Sequence, residues 1–70
     1  MKVVFKSNSD FLVALDCHKI QVERCLDDCD QFCLKGYSAV GSYVLKDCLS
    51  LSEAEKLLYT IVQNEVTDLT

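Results

Sequence analysis

Proline and tryptophan are absent from this 70-residue chain, and glycine occurs only at positions 36 and 41. Without proline no segment is barred outright from a helix interior, and two glycines could hardly build a phosphate-cradling loop. No apolar run approaches the roughly 20 residues that span a bilayer. The apolar run within Met1-Lys2-Val3-Val4-Phe5-Lys6 is three residues, also far short of a signal-peptide core, so we expect a protein made and kept in the cytoplasm. Basic side chains are in the minority, seven against eleven acidic, giving net charge -4 and a pI near 4.6. That balance disfavours direct binding to nucleic acid or an anionic membrane, and a larger protein with a basic surface fits better.

What is present is largely apolar. Half the residues are hydrophobic, too many for a disordered chain. Aromatic residues are few, namely Phe5, Phe11, Phe32, Tyr37, Tyr43 and Tyr59, which suits a helical bundle more than a sandwich. Residues 1–70 make one small domain, and a chain of this size buries only about 60% of the surface it exposes when unfolded. Homodimerisation would supply the missing core.

From Asp10 to Lys35 a helical phase places Phe11, Ala14, Leu15, His18, Val22, Cys25, Leu26, Cys29, Phe32 and Cys33 on one face. Ser7 or Ser9 serves as N-cap and Lys35-Gly36 as a left-handed stop. Residues 37–49 are ambiguous, since Val40, Val44 and Cys48 repeat as in a helix while Tyr37, Ala39, Tyr43 and Leu45 keep a strand's alternation. Ser50-Leu51-Ser52-Glu53 and Ser52-Glu53-Ala54-Glu55 are overlapping capping-box candidates that open a second helix over about 51–66. The expected fold is therefore mostly α: an antiparallel helical hairpin or small three-helix domain, with Lys2 to Lys6 extended and paired in a dimer. A competing α+β reading pairs Lys2 to Lys6 with Phe11 to Asp16 as an N-terminal β-hairpin spanning residues 2–16, and starts the helix near Asp16.

Five cysteines, an odd number without an export signal, point to reduced thiols. On a helix, Cys25, Cys29 and Cys33 would stand too far apart for mutual disulfides, and too far along the axis for one ion to bind all three. Three small apolar side chains lining a helix contact are the simplest role for them. The alternative is a thiol-based metal or redox site that joins Cys29 and Cys48 with Cys25, Cys33 or His18 around zinc. Cys17 lies off the apolar face in the helical reading and is the candidate reactive thiol. Its neighbour His18 points about 100° away on a helix, and no second base or oxyanion loop accompanies the pair, which argues against catalysis.

Asp16, Glu23, Asp27 and Asp30 fall in a narrow arc of the same helix and form a candidate partner-binding stripe. It could dock on a basic patch or act as an acidic nucleic-acid mimic. The expected function is a small non-catalytic, cofactor-free protein-binding module that modulates or inhibits a larger partner through a helical surface. Size alone suggests the kind of regulator that phage, plasmid or bacterial loci encode.

Overall fold

In the computed structural model of the chain, residues 1–7, 9–25 and 30–70 are described. They form six strands and one helix in the order β1 (Lys2–Lys6), β2 (Leu12–Asp16), β3 (Lys19–Arg24), β4 (Phe32–Ser38), β5 (Gly41–Leu49), α1 (Leu51–Gln63) and β6 (Val66–Asp68). One sheet has the order β2-β1-β6, with β1 and β2 antiparallel and β1 and β6 parallel. The other is the antiparallel meander β3-β4-β5.

The helical architecture is thereby overturned. The described residues between 10 and 35 hold a turn, two strands and the start of a third rather than one long helix. The apolar spacing that suggested a helix coincides with a second pattern. Lys19, Gln21 and Glu23 alternate with Ile20 and Val22, and these β-branched residues with Phe32 favour a pleated, half-buried surface. Strand pairing then decides between two local readings that are nearly balanced. The β1–β2 hairpin of the α+β reading is present, with Lys2 opposite Asp16 and Lys6 opposite Leu12, but β3 follows it where that reading starts a helix. At its turn the Asp10 N–H donates to the Ser7 carbonyl at 2.9 Å and the Ser7 N–H to the Phe11 carbonyl at 2.9 Å. Asp10 takes φ 65°, a left-handed conformation that aspartate tolerates. Because β1 has a strand on each side, its edges are taken, and the expectation that it pairs in a dimer is corrected.

The two sheets are joined at Cys17-His18, where the chain leaves β2 and enters β3. Odd-numbered Cys17 donates its N–H to the Met1 carbonyl beside β1, whereas the His18 N–H goes to the Tyr37 carbonyl of β4. One nearly continuous strand thus serves both sheets. Val3, Phe5, Leu15, Cys17, Leu34, Leu45 and Ile61 fill the space between them and α1. Full burial of a side chain such as Phe5 or Ile61 contributes about 1.5–3 kcal/mol.

α1 begins at the first of the two capping-box candidates, with Ser50 as N-cap. The Ser50 hydroxyl accepts from the Glu53 N–H, and the Glu53 carboxylate accepts from the Ser50 N–H, both at 3.1 Å. The helix buries Ala54 and Ile61 and ends at Asn64. No helix among the described residues is long and apolar enough to cross a membrane.

Candidate functional site

In an antiparallel ladder, residues directly opposite one another project to the same face. Lys19 stands opposite Tyr37, Gln21 opposite Lys35 and Glu23 opposite Cys33, so these six side chains share the outer face of the β3-β4-β5 sheet. Their neighbours Ile20, Val22 and Leu34 turn to the core on the other side. Tyr37 and Glu23 lie four residues apart along the ladder, yet the phenol leans along the sheet and donates to Glu23 Oε2 at 2.5 Å. Gln21 Nε2 donates to the same carboxylate oxygen at 2.7 Å and to the Tyr37 hydroxyl at 3.4 Å. The Lys19 and Lys35 ammonium groups stand 5.1 and 5.8 Å from the Tyr37 ring centroid, within cation–π range.

These contacts set the charge of the cluster. The hydrogen bond from Tyr37 holds the Glu23 carboxyl below its ordinary range, with Gln21 adding to the effect. The same bond holds the Tyr37 phenol above the tyrosine range, because the proton is shared with an anion. Both shifts agree that Glu23 is ionised and Tyr37 protonated. Next to this cluster lies a cleft of about 300 Å³ lined by Glu23, Arg24, Cys25, Cys33, Lys35, Val44 and Asp47. Cys33 is buried there, and burial pushes its thiol up.

The structure disperses most of the residues that sequence reasoning had grouped. Asp16 is on β2 with its side chain 83% exposed, 3.7 Å from the terminal amine of Met1; Glu23 is on β3; Asp30 precedes β4. The acidic stripe needed one helix, and without it these carboxylates share no line; Asp27 lies outside the described residues. Cys25 and Cys33 do meet at one cleft, but His18 is exposed at the far end of β3 and Cys48 is exposed on β5 at φ 57°. Among the described residues no three of His, Cys, Asp and Glu are placed to hold a metal ion, and Cys29 lies outside them. The helical-seam role for the ladder falls with the helix.

Cys17 is corrected most sharply. It is 3% exposed rather than the open thiol of the helical reading, and burial pushes its pKa up. The bend at residues 17–18 turns it inward against Gly36 and Leu45. Sequence reasoning also passed over Lys19, Gln21, Lys35 and Tyr37. The signal that could have found them is the strict alternation Lys19-Ile20-Gln21-Val22-Glu23, which puts every polar side chain of that segment on one face of a strand. Comparison of the chain with models of protein families, with curated proteins and with solved structures finds no match.

Proposed function

We propose that the protein is a non-catalytic binding module of the cytoplasm that modulates a larger protein through the outer face of the β3-β4-β5 sheet. The observation that carries this reading is the fixed Tyr37 side chain, flanked by Lys19 and Lys35 and tied by its hydroxyl to Glu23. A tyrosine already held in one conformation presents a large amphipathic surface with little left to lose on binding, and such residues dominate interface energetics. Lysines and the Glu23 carboxylate around it supply charges of both signs, which set orientation and exclude wrong partners. A binding role is also favoured by the raised pKa values of Cys17 and Cys33, which keep both as thiols rather than nucleophilic thiolates.

Affinity capture from the source cell tests the assignment when run in parallel with three proteins: the wild type, Tyr37→Ala and Lys56→Glu, which changes the exposed side of α1. A partner retained by the wild type and by Lys56→Glu but lost with Tyr37→Ala is the expected result. A partner set that is the same for all three, with Tyr37→Ala still folded by circular dichroism, rejects this face.

A further inference from the structure

Among the described residues, strand β2 borders its sheet and pairs only with β1. The hydrogen bonds around it show which backbone groups are taken. Phe11 accepts from Ser7 and Cys17 donates to Met1, so odd-numbered residues of this segment face β1. On β1 itself, Lys2 donates to Glu65 and Val4 accepts from Leu69, so its even-numbered residues face β6 instead. By the alternation of an antiparallel ladder, the N–H and C=O groups of Leu12, Ala14 and Asp16 point out of the open edge.

Other borders of the two sheets carry features that blunt strand addition. β5 has two register shifts, Lys46, Asp47 and a left-handed Cys48; β3 carries Lys19, Glu23 and Arg24; β6 is three residues long. β2 keeps an unbroken register over five pairs, and Leu12 to Leu15 carry no charge. Its surroundings are apolar as well, with Phe11 71%, Leu12 66% and Val40 82% exposed.

We propose that β2 of a second copy of this chain pairs antiparallel with this edge, about a two-fold axis at Ala14. The strand is its own complement. With Ala14 opposite the partner's Ala14, Leu12 meets the partner's Asp16 and Asp16 the partner's Leu12, giving about six backbone hydrogen bonds. No like charges are opposed, because the existing pairs Lys2 with Asp16 and Lys6 with Leu12 extend this row into Lys6, Leu12, the partner's Asp16 and the partner's Lys2. The same register brings Phe11 opposite the partner's Cys17. There it reaches the notch of about 330 Å³ between β2 and the β4–β5 turn, lined by Ala14, Leu15, Asp16, Ser38, Ala39 and Val40. Knob and notch lie on one edge and exchange under the two-fold operation, as an isologous interface requires. This surface is separate from the Tyr37 face, so either assignment can fail alone.

Sedimentation equilibrium of the full chain over about 1–500 μM, a range that brackets micromolar association, tests the pairing. The wild type is expected to reach the mass of two chains. Ala14→Pro removes an N–H that no bond among the described residues uses, and edge positions of that kind tolerate proline. It should stay at the mass of one chain while retaining the wild-type circular dichroism. If Ala14→Pro loses its fold, Phe11→Ser and Leu12→Lys decide, each expected to raise the midpoint concentration at least about tenfold. A wild type that is monomeric throughout overturns the proposal, including one that instead accepts a strand from a larger protein. So do masses growing beyond two chains, or midpoints that do not move in the folded variants.

Discussion

At Gly36 a hydrogen atom stands where any other residue would place a carbon 2.8 Å from Cys17 Sγ and 3.1 Å from Leu45 Cδ1. All three residues are buried, so neither neighbour can swing into solvent. Gly36→Ala is expected to cost about 1–3 kcal/mol by overpacking. Cys17→Ala in the same chain removes the nearer clashing atom and should recover part of that loss, seen in urea unfolding as a coupling of about 0.5–3 kcal/mol in the double-mutant cycle. The sequence made Gly36 conspicuous but for another reason. Lys35-Gly36 resembles a helix stop, and the need for a missing Cβ arises only when residues 17 and 45, distant in the chain, converge on β4. The same convergence reverses the ranking of the thiols. Alkylation of the native protein, followed by peptide mass spectrometry, should modify exposed Cys48 ahead of Cys17, with Cys17 labelled at a rate set by opening of the fold. Early labelling of Cys17 would contradict its burial.

Among the elements, α1 was readable because its signals are local: Ser50 and Glu53 cap each other three residues apart, and Leu57, Leu58 and Ile61 follow on one face. Ser50→Ala should lower stability by about 1 kcal/mol, measured by chemical denaturation. β3 and β4 were hidden because the spacing of Val22, Cys25, Cys29 and Cys33 satisfies a helix, while the register that selects a strand is written across two segments. That register also produces the Glu23–Tyr37 bond and its pH dependence. Glu23 has a folded pKa below its unfolded one, so its contribution is present above the unfolded carboxylate range and lost as pH falls through the folded value. Tyr37 has a folded pKa above its unfolded one, so its contribution is intact below the unfolded tyrosine range and lost as pH rises through the folded value. Between those limits the wild type should exceed Glu23→Gln in denaturation midpoint, with the gap closing toward both extremes. In Glu23→Gln the phenol of Tyr37 should ionise at lower pH than in the wild type, followed by ultraviolet absorbance with Tyr43 and Tyr59 replaced by Phe.

Across the whole molecule the sheets differ in how far along the chain their partners lie. The β3-β4-β5 meander joins successive strands, whereas β1 pairs on one side with the strand that follows it and on the other with residues 66–68. Contacts that close so long a loop form late and are released only with most of the structure. Amide hydrogen exchange should therefore find the Leu69 N–H, bonded to the Val4 carbonyl, protected close to the level of the central β4 amides. Synthesis on the ribosome gives this arrangement a direction in time. The meander can assemble while α1 is still being made, but β1 has to wait, with the outward groups of Lys2 and Val4 unpaired, until Val66 to Leu69 emerge. A chain interrupted after Asn64 would keep that waiting state permanently, and it should be recovered in aggregates or bound to chaperones rather than as folded protein.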